Sequence, residues 1–256
     1  MIHASGQRVL ITAGANGIGL AMAEKFRAAG ARVFVCDVDQ AALARLAQRD
    51  AGVATHLCDL AQREQIEPMV QAAVAALGGL DVLINNAGVG GATVPADQLD
   101  PADWDQVIGI NLDATFLVTR AAIPHLKQSP AGVIINMSSV AGRFGYPNRL
   151  AYATSKWGLI GFTKTLSIEL GAFGIRVNAL LPGAVDGDRF QRVMAGRAQV
   201  SGRSLDDLRQ EAMAMQSLKH LVDPAHVADL AVFVASDSGR SISGQALSID
   251  CDMQRT

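Results

Sequence analysis

Short apolar, β-branched runs alternate with longer alanine-rich stretches along this chain. The runs predict seven strands: Val9 to Thr12, Arg32 to Cys36, Ala54 to Leu57, Val82 to Ile84, Val133 to Met137, Arg176 to Leu181 and Ala246 to Ile249. Most are separated by 15 to 30 residues with helical spacing. That alternation argues for crossover helices and a parallel sheet. Helices are expected over Leu20 to Ala29 and from Tyr152 to Leu170, and Ala114 to Leu126 is a further apolar helical stretch. No repeat, low-complexity tract or linker interrupts the pattern, so residues 1–256 are expected to form one α/β domain.

Composition narrows the class. Half of the 256 residues are hydrophobic and only 18% are charged, which suits a compact globule around a buried sheet rather than disorder. A net charge of −2 gives no electrostatic reason to expect nucleic acid or an anionic membrane as partner. The cysteines Cys36, Cys58 and Cys251 form no metal-type or redox-type pair, which suits a reducing compartment. The first strand starts almost at once, so no signal peptide is expected, and no apolar run reads as a membrane span. A cytoplasmic protein is the expectation. His3, His56, His125, His220 and His226 show no ligand spacing, and no metal site is expected.

Three features carry chemistry. Tyr152 and Lys156 are four residues apart and share one face of a helix. A free tyrosine titrates near ~10 and is a poor base at neutral pH. A neighbouring ammonium favours the phenolate, so a tyrosine placed this way can exchange a proton with a substrate hydroxyl. Ser139, at the end of the preceding strand, could hydrogen-bond the same oxygen. The second feature is the turn Thr12-Ala13-Gly14-Ala15-Asn16-Gly17-Ile18-Gly19 between a strand and a helix. Glycines there let the backbone approach a pyrophosphate at a helix N-terminus. The third is Asp37, at the end of the second strand and eighteen residues past Gly19. A carboxylate there can hold both ribose hydroxyls of NAD and would repel the extra phosphate of NADP.

Together these motifs resemble the short-chain dehydrogenase/reductase family, over nearly the whole chain. The resemblance implies a doubly wound Rossmann domain, with a parallel sheet of about seven strands and helices on both faces. It also implies a substrate lid over about residues 186–223. It makes Asn111 a fourth catalytic member beside Ser139, Tyr152 and Lys156, opening its helix locally to hold a water that links Lys156 to solvent. It assigns the cofactor to Ala13, Asn16, Gly17, Ile18, Gly19, Asp37, Val38, Asp59, Leu60, Asn86, Ala87, Gly88, Tyr152, Lys156, Pro182, Gly183 and Val185. Family members commonly pair the two long apolar helices between subunits, so a homo-oligomer, tetramer or dimer, is expected.

The chain departs from the family pattern in three places. Ala13 replaces the first glycine of the turn, and Gly14 is expected to supply the flexibility. Gly187 stands where a threonine often orients the carboxamide. The last strand runs into Asp250-Cys251-Asp252 instead of Asp-Gly-Gly. The reading is an NAD-dependent oxidoreductase acting on a small-molecule secondary alcohol: a polyol, sugar or hydroxy acid. Arg143, Arg149 and Arg189 are candidates to clamp an anionic group on it. The alternatives are a 3-oxoacyl-(carrier protein or coenzyme A) reductase and a non-catalytic dinucleotide sensor.

Overall fold

The computed structural model describes residues 4–254. Seven strands form one parallel sheet: β1 Arg8–Thr12, β2 Arg32–Asp37, β3 Val53–Leu57, β4 Val82–Asn85, β5 Val133–Met137, β6 Arg176–Pro182 and β7 Ala246–Ile249. The helices are α1 Gly17–Ala28, α2 Gln40–Arg49, α3 Arg63–Leu77, α4 Pro101–Ile108, α5 Ala114–Leu126, α6 Leu150–Gly171, α7 Asp188–Ser201, α8 Leu205–Ala214 and α9 Pro224–Ala235. The strand order is β3-β2-β1-β4-β5-β6-β7. Successive strands leave β1 in opposite directions, so the loops after β1 and β4 part at the C-terminal edge of the sheet. A ligand crevice belongs at that switch point.

Both faces of the sheet are covered, and for that reason the central stretches of its strands run apolar on both sides. Val9, Ile11, Val33, Val35, Val82 and Ile84 pack with Met22 and Phe26 of α1 and Val227, Ala231 and Val234 of α9. Leu10, Phe34, Leu83, Ile134 and Val177 pack on the other side with Ile66, Met69 and Val70 of α3 and Val118 and Ala122 of α5. Burying a side chain as completely as Phe26 (0% exposed) contributes roughly 1.5–3 kcal/mol. Local signals set the helix starts. Asp39, Asp100, Ser204 and Asp223 each accept a backbone N–H at their helix N-caps, and Pro101 and Pro224 follow two of them.

α4, a π turn over Gly109–Asp113 and α5 run on as one helix. By length and composition alone, Pro101–Leu126 would suffice to cross a membrane. Val107, Asn111, Ala114, Val118, Ala122 and Leu126 are nevertheless buried against the protein's own interior, as in a core helix.

α7 and α8 pack on each other through Met194, Leu208 and Ala212, apart from the two main cores. The segment after α8 is stitched to the end of the chain. Ser217 N donates to Asp252 O at 3.1 Å, Leu218 N to Cys251 O at 3.2 Å, and Gln254 N to Met215 O at 2.7 Å. Cys251 and Asp252 both take φ of 55°, a left-handed conformation that costs most residues about 1–2 kcal/mol each. The described residues gather no group of three or more His, Cys, Asp or Glu that could hold a metal; His3 lies outside them.

Candidate active site

The loop after β1 turns at Ala13 itself, which holds φ of 50°. The flexibility expected of Gly14 is not what the turn uses. A Cβ built on Gly14 would lie 2.8 Å from Val35 Cγ1, so Gly14 is required for close packing of the loop on β2. Gly19 is tighter still: a Cβ there would lie 2.2 Å from the Ala13 carbonyl oxygen and 2.6 Å from Asn86 Nδ2. Asn86 Nδ2 donates to the Ala13 and Thr12 carbonyls at 2.9 and 3.1 Å, while Thr12 Oγ1 accepts from the N–H groups of Asn86 and Ala87, both at 3.0 Å. Loops β1–α1 and β4–α4 are thereby clamped side by side at the crevice. The first turn of α1 carries no acidic side chain, and the N–H groups of Gly17, Ile18 and Gly19 lack intrahelical acceptors by position. This cradle fits a dinucleotide pyrophosphate.

Asp37 is buried at the end of β2. Its Oδ2 accepts from Ala15 N and its Oδ1 from Asp39 N, both at 3.0 Å. Among the described residues no Lys or Arg forms an ion pair with it. Asn16 Nδ2 reaches Asp39 Oδ2 at 3.3 Å. Val38 is 66% exposed beside Asp37, and Leu60 is buried behind Asp59, whose Oδ1 caps Ala61 N at 2.9 Å. On the other side of the crevice, Pro182 ends β6. A Cβ on Gly183 would lie 2.8 Å from Asp250 Cα, and Val185 bridges to Val222, on the far side of the segment that holds α7 and α8.

Tyr152, Lys156 and Asn111 gather beyond β4 and β5, and Ser139 lies just past the end of β5. Lys156 is 2% exposed on α6; its Nζ donates to Met137 O at 2.8 Å and lies 5.6 Å from the Tyr152 ring centroid. Burial pushes its ammonium down to about 7, and the charge of Arg189 acts in the same direction. A Cβ on Gly88 would lie 3.1 Å from Asn111 Oδ1 and 3.3 Å from Lys156 Nζ, so these three residues converge. Asn111 is fully buried within the π turn, which opens the helix locally, as expected. Its Oδ1 accepts from Val89 N at 2.8 Å, and its Nδ2 donates to Val89 O at 3.1 Å and Ser155 Oγ at 2.9 Å. The side chain is thus a brace between loop 88–90 and α6. Ser139 Oγ accepts from Ala141 N at 3.1 Å and caps a short 3-10 turn, Val140–Gly142, that packs against α6.

The three arginines part company. Arg149 is 4% exposed, with its guanidinium carbon 4.9 Å from the Tyr152 ring centroid and Nη2 donating to Gly90 O at 2.9 Å. Arg189, exposed at the start of α7, donates through Nη2 to Gly88 O at 2.5 Å. Arg143 points elsewhere, over the Phe144 ring at 5.3 Å and toward Ser248 Oγ on β7 at 3.4 Å.

Sequence reasoning missed Thr12 and Ser155 as members of this frame. The signals were a hydroxyl ending an apolar strand and a serine one helical turn after Tyr152. Ser155 Oγ donates to Tyr152 O at 2.7 Å while it receives the Asn111 amide.

Comparison with known proteins agrees with this geometry. A family model described as short chain dehydrogenase matches residues 7–198. The chain is 34% identical over 252 residues to D-beta-hydroxybutyrate dehydrogenase of Cupriavidus necator, covering 96% of this chain and 97% of that protein. Among solved structures, NAD+-bound xylitol dehydrogenase superposes with a TM-score of 0.91 at 28% identity, covering 96% of this chain and 98% of that one. A variant of actinorhodin polyketide ketoreductase with NADPH gives 0.90 at 30% identity, covering 95% of each.

Proposed function

The chain belongs to the short-chain dehydrogenase family, and from that premise we propose that it interconverts a small secondary alcohol bearing an anionic group with its ketone, using NAD. One observation carries the substrate reading. Arg149, Lys156 and Arg189 act on one another electrostatically or border the same loop, and no carboxylate pairs with any of them among the described residues. Such a carboxylate-free cluster of cations favours an anionic ligand. The relative named for hydroxybutyrate acts on a hydroxy acid, which agrees.

Asp37 supports NAD, because an uncompensated carboxylate at the adenosine ribose disfavours a 2′-phosphate. The cradle around Gly17, Ile18 and Gly19 would hold the pyrophosphate, and Lys156 keeps two N–H donors for ribose hydroxyls. When bound, the nicotinamide supplies the hydride acceptor. The chain's own residues do the rest. Tyr152 takes the hydroxyl proton, Ser139 holds the substrate oxygen, and Lys156 favours the phenolate of Tyr152. Asn111 fixes loop 88–90 against α6 beside that lysine.

Reduction of a 3-oxoacyl group is the second reading, favoured by likeness to a polyketide ketoreductase with NADPH; Asp37 weighs against it. The three unpaired cysteines suit a cytoplasmic location. Phe116, Trp157 and Ile168, exposed on α5 and α6, suit burial between copies of the chain in a homo-oligomer. The test is NADH absorbance with a panel of hydroxy acids, sugar acids and uncharged polyols, run with NAD and NADP, and light scattering for assembly. Tyr152→Phe should still bind NAD and lose nearly all turnover. Equal use of NADP, or preference for uncharged polyols, refutes the corresponding half of the reading. No turnover with any alcohol or ketone leaves a dinucleotide sensor.

A further inference from the structure

Arg149 is the N-cap residue of α6, yet its side chain makes no capping bond. It is turned inward instead. Nη2 reaches Gly90 O at 2.9 Å, Nη1 lies 3.4 Å from Thr93 Oγ1, and Nε is buried with no acceptor among the described residues. The guanidinium lies against two phenol rings, 4.9 Å from the centroid of Tyr152 and 5.8 Å from that of Tyr146. Thr93 sits beneath the lid helix, for a Cβ on Gly196 would lie 3.0 Å from its Oγ1. A buried cation without a carboxylate is costly. A residue such as glutamine or methionine would avoid that cost here. The gain is a charge that does not titrate, held against a ring whose quadrupole attracts it.

We propose that Arg149 is a positioning residue for Tyr152: its permanent charge orients the ring and favours the phenolate, alongside Lys156. This rests on reading Tyr152 as the proton-exchanging group. The charged and titratable groups around Tyr152 are Arg149 before α6, Lys156 on α6, Tyr146 across Arg149, and Arg189 on α7, whose charge acts on both Arg149 and Lys156. With the Lys156 ammonium pushed down to about 7 by burial, that lysine is only partly charged near neutrality in the cofactor-free protein. Arg149 keeps its charge throughout.

The sequence contains only two tyrosines, so Tyr146→Phe leaves Tyr152 as the single phenol. Its ionisation can then be followed directly by phenolate absorbance, without cofactor or substrate. In that background, Arg149→Gln should raise the titration midpoint measurably, and Arg149→Lys by less. Circular dichroism checks the fold. If the glutamine variant does not fold, Arg149→Met replaces it under the same criterion. An unmoved midpoint in a folded neutral variant overturns the proposal. So does a neutral variant that raises KM for anionic substrates while the midpoint stays put, since Arg149 is then a substrate contact only. A shifted midpoint in a protein that turns over no alcohol upholds this inference and refutes the proposed function, so the two failures are distinguishable.

Discussion

Ala13 gives the sharpest test of the cofactor turn. An L-residue with a Cβ at φ of 50° bears a steric cost of about 1–2 kcal/mol that glycine escapes. Glycine in turn loses more freedom on folding, roughly 0.5–1 kcal/mol. Ala13→Gly should therefore stabilise the protein by about 0.5–1 kcal/mol, although glycine substitutions usually do the reverse. In a chain of this size that is a rise of roughly 1–4 °C in Tm. Ala13→Val should lose more than about 1 kcal/mol, because a branched Cβ is poorly tolerated at positive φ. The bond from Asn86 Nδ2 goes to the Ala13 carbonyl and not to its side chain, so NAD affinity of the glycine variant should change by less than about twofold. The assay is denaturant unfolding of all three proteins at one protein concentration, with NAD titration by fluorescence. A glycine variant no more stable than the parent, or a valine variant equal to it, would refute the left-handed turn at this position.

Other perturbations probe the rest of the site. Asp37→Ser removes the carboxylate proposed to hold the ribose and should raise the NADP-to-NAD ratio of kcat/KM at least about tenfold; an unchanged ratio in steady-state kinetics would remove Asp37 from cofactor choice. Native Lys156 sheds its proton at about 7, whereas an unfolded lysine holds its own to about 10.4. Between those values the unfolded chain binds more protons, so the cofactor-free protein gains stability as pH rises. Lys156→Met should be favoured relative to the parent at about pH 6, and that relative gain should shrink by about 2 kcal/mol by about pH 9. Parallel pH profiles of unfolding would contradict this.

The strands were legible because a sheet covered on both faces demands continuous apolar runs, and all seven were located to within a residue or so at each end. Tyr152, Lys156 and Asn111 were legible through helix spacing and family likeness. What stayed hidden depends on contacts between distant segments. Nothing in the order of residues says that the Asn111 side chain spends itself on Val89 and Ser155, or that Thr12 holds the turn of the neighbouring loop. Nor could arginine content separate Arg149, drawn inward against Tyr152, from Arg143, which leans on Phe144 and β7. The bend at Ala13 was misplaced onto Gly14 because glycine is the usual bearer of positive φ. There the shortage was of space against Val35, a fact of packing.

The stitching of the last residues to the segment after α8 has a practical corollary. A lid formed by α7 and α8, as the family resemblance implies, would be tethered at its far end by the backbone of Cys251, Asp252 and Gln254. Cutting the chain before Cys251 would remove those bonds, and with such a lid its effect should surface in substrate turnover before it surfaces in the stability of the sheet.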